Sequence, residues 1–99
     1  MDRFWSLPRF PFRQLLIEQA PENAGVYALL DGEEFIYIGG AAEGDGGIRG
    51  ALLAHLRQRA DGVTAYSWEI HRSPRAREAQ LLAEYQQQFA RLPRWHTAA

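Results

Sequence analysis

Ninety-nine residues are enough for one ordinary domain with a single hydrophobic core, not two. An apolar share of 46% and a charged share of 23% are near globular averages, which sets aside disorder, collagen and coiled coil. A net charge of −1 gives no general pull onto DNA, and the absence of cysteine excludes disulfide, thiolate and zinc-thiolate chemistry.

In chain order, Phe4 to Phe12 is aromatic and punctuated by Pro8 and Pro11, and reads as an irregular arm packing on the domain. Pro11 suits a first helical position, and Phe12, Leu15, Leu16 and Gln19 follow helical spacing to about Ala20. Pro21 and Gly25 bracket a loop. Gly25 to Leu30 is a β-rich run ending in the turn composition Asp31-Gly32-Glu33-Glu34, and Phe35 to Gly39 is a second strand, so the two form a hairpin. Gly39 to Gly47 carries five glycines in nine residues and reads as a flexible loop. Ile48, Leu52, Leu53 and Leu56 mark one face of a helix to about Arg59. Asp61-Gly62 turns the chain, and Val63 to His71 alternates as a third strand. Ser73-Pro74 pairs an N-cap with an N1 proline, and a long helix runs to about Ala90.

The expected order is α-β-β-α-β-α in one domain, residues 1–99, with an arm and helix over 1–20 and a core over 21–96. No apolar run approaches the ~20 residues of a membrane span. Met1 to Trp5 lacks the apolar region and cleavage site of a secretory signal, so a cytoplasmic setting is expected.

Gly25-Val26-Tyr27, nine intervening residues and Tyr37-Ile38-Gly39 resemble the paired signature strands of the GIY-YIG nuclease superfamily. The phrase Ala20 to Tyr27 resembles that family's proline-then-GVY entry. Ile48, Leu52 and His55 fall where the family often has a leucine, the residue after its arginine, and a histidine. Glu78, followed by Leu81, Leu82 and Tyr85, resembles the stretch bearing the family's metal-binding glutamate. The resemblance covers roughly residues 20 to 96. It implies a small α/β fold of the α+β kind, three antiparallel strands flanked by helices. It also implies phosphodiester hydrolysis with one divalent metal, Mg²⁺ or another such as Mn²⁺, and DNA as the partner.

Several residues can be weighed on their own pattern. Glu78, Leu81, Leu82, Tyr85 and Phe89 lie on one helical stripe, so Glu78 heads the face that should pack on the sheet. A semi-buried carboxylate needs compensation, and a metal would supply it. The alternative is that Glu78 only favours the first turns of its helix; the resemblance favours the ligand. Glu84 is the rival, off the stripe. Tyr27 and Tyr37 share a face if the hairpin register sum is even, although tyrosine is also an ordinary strand residue. The resemblance makes Tyr27 the base and Tyr37 its hydrogen-bonding partner. His55 reads equally as a second base or as a surface histidine. Arg72, Arg75 and Arg77 surround the start of the last helix, a phosphate-contact patch or a solvated face.

Two departures from the family bear on activity. Ala51 stands where its arginine is expected; Arg49 is the nearest replacement, rotated about 200° around a helix, and Arg59 is a weaker one. His96 stands near the family's asparagine, and Gly40 replaces a lysine. The expected function is a metal-dependent endonuclease, impaired at Ala51. The alternative is an inactive module of the same fold that binds nucleic acid through Arg72, Arg75, Arg77 and His96, or binds protein. With no room for a recognition domain, the chain would be weakly specific, structure-directed, or guided by a protein partner or homodimer.

Overall fold

The strongest local signal, the hairpin, becomes the centre of the molecule. The computed structural model describes residues 2–96. Its elements are β1 (Phe10–Pro11), α1 (Gln14–Ile17), β2 (Gly25–Asp31), β3 (Glu34–Ala41), α2 (Gly47–Gln58), β4 (Ala65–Ile70) and α3 (Pro74–Phe89). The four strands form one antiparallel sheet in the order β1-β4-β2-β3. The fold is therefore α+β. No helix among the described residues is long and apolar enough to cross a membrane.

The sheet has four strands where three were expected. Phe10 and Pro11 pair with Tyr66 and Ala65, so Pro11 lies in a strand rather than at the first helical position. Proline is tolerated there because β1 is an edge strand, which can spare the missing N–H. The first helix starts at Gln14 instead, and its regular part ends at Ile17. The glycine-rich stretch also differs from a plain loop. Gly39 and Gly40 continue β3, and Glu43–Asp45 forms a 3-10 turn ahead of α2.

β2 is covered on both faces, which explains its unbroken apolar run Val26-Tyr27-Ala28-Leu29-Leu30. Successive side chains point to opposite faces. On one face Tyr27, Leu29 and Tyr66 pack with Ile17, Ala20, Ile48 and Leu52, so α1 and α2 lie there. On the other face Val26, Ala28 and Leu30 pack with Phe4, Ile38 and Leu81, so the N-terminal arm and α3 lie there.

The buried line of α3 is Arg77, Leu81 and Tyr85, at i, i+4 and i+8. Glu78 and Leu82 flank this line and Phe89 is half-exposed, so the expected stripe is rotated by about one residue. A charged residue holds the centre because all five guanidinium N–H groups of Arg77 are satisfied. They donate to Glu69 (2.7 and 3.2 Å), Asp2 (2.7 and 2.6 Å) and the Gln80 Oε1 (3.0 Å). The Ser73 side chain makes no capping bond; the Ser73 N–H donates to His71 Nδ1 instead, at 3.0 Å.

Candidate active site

Strand register builds the aromatic half of the site. Tyr27 lies opposite Gly39, and Tyr37 lies opposite Leu29, so the two tyrosines share a face on a diagonal. Their ring centroids are 6.0 Å apart. Gly39 makes this approach possible. A Cβ built there would sit 2.6 Å from the Tyr27 hydroxyl and 2.8 Å from Tyr37 Cε2, so only a residue without a side chain fits under both rings.

α2 brings His55 onto the pair. The Tyr27 hydroxyl and His55 Nε2 share a hydrogen bond of 2.8 Å. The Tyr37 and His55 rings are 4.9 Å apart. Burial, then the neighbouring Tyr37, then the charge of Glu78 push the Tyr27 phenol far above its ordinary range. Burial, with a smaller contribution from the Arg59 cation, holds the His55 imidazole below its ordinary value. At neutral pH the pair is thus an uncharged phenol on an uncharged imidazole.

The C-terminal turn, Arg94–His96, closes the outer side. β3 is an edge strand, and the Ile38 N–H donates to His96 Nε2 at 3.0 Å. The same imidazole stacks on Tyr37 with centroids 4.6 Å apart and planes 3° from parallel. Because Nε2 accepts a bond, the His96 proton sits on Nδ1. Burial lowers the pKa of His96, while the charge of Glu78 works the other way. His96 therefore packs and caps the sheet edge, and is not an outward-facing contact.

Glu78 approaches from the opposite face, at the rim of the same edge strand. A Cβ at Gly40 would lie 2.9 Å from Glu78 Oε1, so the second glycine of the pair makes room for the carboxylate. Glu78 is half-buried, and its charge reaches both Tyr27 and His96. It lines a cleft of about 270 Å³ with Gly40, Ala42, Asp45, Pro74 and Arg75. An adjoining cleft shares Gly40 and Asp45 and is walled by Gly50, Ala51 and Ala54. Asp45 was not anticipated. It sits in a glycine-rich stretch with no periodicity, and only the 3-10 turn turns it toward the cleft.

Three anticipated residues, Arg49, Arg77 and Glu84, are elsewhere or already engaged. Arg49 leaves the cleft: its Nε donates to the Ala20 carbonyl at 2.7 Å, and Nη1 lies 3.6 Å from Glu22. α2 begins at Gly47, too early for the late start that would have rotated Arg49 inward. Arg77 is buried and has no free donor for a phosphate, so it is a structural residue. Arg72 and Arg75 are exposed, and Arg75 borders the Glu78 cleft. Glu84 accepts the Trp5 indole N–H at 2.7 Å and the Asp2 N–H at 3.1 Å, so it ties down the arm.

The donor set suits a hard divalent cation only sparsely. No group of three or more His, Cys, Asp or Glu side chains among the described residues could hold a metal. Glu78 and Asp45 line one cleft, and Mg²⁺ binds through one or two carboxylates while keeping several waters. The residues present fit that mode. No protein-family model matches the chain, and no curated protein or solved structure matches it either.

Proposed function

We propose that this chain is a metal-dependent endonuclease of the GIY-YIG kind, hydrolysing phosphodiester bonds of DNA, and weakened because Ala51 supplies no cation to the cleft. The observation that supports this most is the Tyr27–His55 hydrogen bond beside Tyr37, with the half-buried Glu78 carboxylate close enough to act on Tyr27. A phenol, an imidazole and a carboxylate converging at one strand edge form an acid–base set with an anionic anchor.

Glu78, with Asp45 on the same cleft wall, would hold Mg²⁺ or Mn²⁺. When bound, such a cation supplies stabilisation of negative charge on the phosphate and leaving oxygen. Tyr27 is a poor base alone, since its surroundings keep it protonated. It acts as a relay instead. Its oxygen takes a proton from the attacking water while its own proton passes to His55 Nε2, 2.8 Å away. A P–O bond forms to the water oxygen, and the P–O bond to the leaving oxygen breaks. The imidazolium then releases its proton to solvent, from which the leaving oxygen takes one. Tyr37, gripped between His96 and His55, positions the Tyr27 ring.

Supercoiled plasmid incubated with Mg²⁺ is expected to be nicked, and Glu78→Gln is expected to cut the rate by at least about 100-fold, the scale of losing an electrostatic stabiliser. Equal nicking by the wild type and the Glu78→Gln chain would refute the reading. The second reading, a non-catalytic nucleic-acid-binding module, is favoured by the exposed Arg72 and Arg75, the latter on the Glu78 cleft, and by the absence of a basic side chain at Ala51. Salt-dependent DNA binding without nicking, in Mg²⁺ or Mn²⁺, would select it.

A further inference from the structure

We propose that Arg59, laid over the indole of Trp95, is a phosphate-gripping residue of this site, holding a backbone phosphate of bound DNA beside the Tyr27–His55 pair. The proposal rests on the nuclease reading for its ligand. Its geometry stands apart from that reading.

The Arg59 guanidinium carbon lies 3.9 Å from the centre of the Trp95 ring. Trp95 in turn lies 6.3 Å from the His55 ring and 6.2 Å from the Tyr37 ring, so the cation is anchored to the edge of the aromatic site. The backbone explains this placement. Ala51 and His55 are spaced i, i+4 on one side of α2, and Arg59 follows just past the end of the helix. Arg59 is the C-cap residue, with φ −155° and ψ 94°, so the chain leaves the helix there and carries the side chain onto the C-terminal turn.

Arg9 also lies over a ring, that of Phe35 at 5.1 Å, but on the N-terminal arm, where its Nη2 donates to the Trp5 carbonyl; several other arginines are engaged by partners. Arg77 is saturated by carboxylates, Arg49 is tied to Ala20 and Glu22, and Arg94 faces Asp31 and Glu34. Among the described residues, Arg59 makes no ion pair and no side-chain hydrogen bond, and its ring contact with Trp95 occupies the guanidinium face. Stacking by one face leaves the in-plane N–H groups for an oxyanion, and a planar fork matches two phosphate oxygens. Arg13, Arg57, Arg72 and Arg75 are exposed too, but no ring holds them in place, so each would give up more rotamer freedom to bind. The cation also acts on the neighbouring imidazole, lowering the His55 pKa.

A merely structural Arg59 would staple Trp95 to α2 and do nothing for DNA. Arg59→Gln separates the two roles, because the amide is planar and can stay on the indole without its charge. Binding of a short DNA duplex is measured in EDTA across a salt series, where no cleavage occurs. Arg59→Gln is expected to bind about tenfold more weakly, with a salt slope lower by about one. Removing the cation is also expected to raise the His55 pKa, read by NMR titration of its ring protons. Unchanged affinity and slope, an unmoved His55, or no duplex binding by the wild type each overturn the proposal. Plasmid nicking is followed in parallel. A wild type that binds through Arg59 but never nicks removes the nuclease reading and leaves this proposal standing. Nicking by Arg59→Gln with KM unchanged removes this proposal and leaves the nuclease.

Discussion

At the scale of single residues, the site depends on atoms that are missing as much as on those present. Gly39 has no Cβ to hold apart Tyr27 and Tyr37, whose rings lie across it. Gly39→Ala forces the Tyr27 hydroxyl away from a position that a methyl group would fill, and with it the 2.8 Å bond to His55. Neither ring moves freely, since Tyr27 is buried against the core and Tyr37 is stacked on His96. Overpacking of this kind typically costs about 1–3 kcal/mol, and a displacement near 1 Å at reacting groups costs about 100-fold in rate. On the nuclease reading proposed above, Gly39→Ala is therefore expected to remain folded by circular dichroism while losing about 100-fold in Mg²⁺-dependent plasmid nicking. Wild-type nicking rates in that variant would show that the Tyr27–His55 contact carries no chemistry.

At the scale of elements, α3 is seated by a charge network that no local pattern foretells. Arg77 reads in the sequence as one of three exposed arginines at a helix start. Its partners are Asp2, 75 residues away, and Glu69 on β4, so its burial follows only from the tertiary fold. Arg77→Ala leaves the Glu69 carboxylate, 9% exposed, with only the exposed Arg3 at 3.9 Å to offset it. Removing one member of a buried pair costs about 3–5 kcal/mol. The expected result is an unfolding free energy, from urea titration, lowered by that amount, with no change in the salt slope of any DNA binding by whatever remains folded. A reduced salt slope would instead make Arg77 a phosphate contact. The network also sets an acid limit. Asp2 is held at about 2, below its ordinary 3.8, chiefly by the Arg77 hydrogen bonds. Between those values the unfolded chain binds the extra proton. The stabilisation from Asp2 is thus complete above pH 3.8 and is lost as pH falls toward 2. Urea midpoints of the wild type and Asp2→Asn are expected to converge over that window.

The same contrast explains what could be read in the sequence. The hairpin was legible because its strands, turn and tyrosines lie within one short stretch, Gly25 to Ala41, and a period of two fixes which side chains share a face. The α3 helix was legible from its proline start and its length. Its rotation about its own axis was not, because that depends on Asp2 and Glu69 accepting an arginine in the core. β1 escaped because two residues leave no periodicity, and Glu84 because its partner is Trp5, 79 residues away. Arg49 was misplaced because the start of α2 depends on a distant loop. The Ile48 and Arg49 N–H groups donate to the Asn23 and Pro21 carbonyls, which fix the first turn.

At the scale of the whole molecule, the N-terminal arm is part of the core. It crosses the sheet, with Phe4 and Trp5 on the α3 face and Phe10 and Phe12 against Tyr66 on the other. Phe4 is fully buried, and Trp5 packs edge-on against Phe35 while its N–H reaches Glu84. The aromatic residues of the arm are therefore spent on closing both faces of the core. Truncating a buried phenylalanine to alanine costs about 3–5 kcal/mol, against a total of about 5–15 kcal/mol for a domain of ordinary stability. Phe4→Ala is accordingly expected to lose a large fraction of the stability of the chain, seen as a lower urea midpoint with an unchanged slope. If the midpoint stayed at the wild-type value, the arm would be a detachable appendage, and the face of β2 beneath it would have to be stable in water. The unbroken apolar run of that strand argues against this, since Val26, Ala28 and Leu30 share that side's core with Phe4, Ile38 and Leu81.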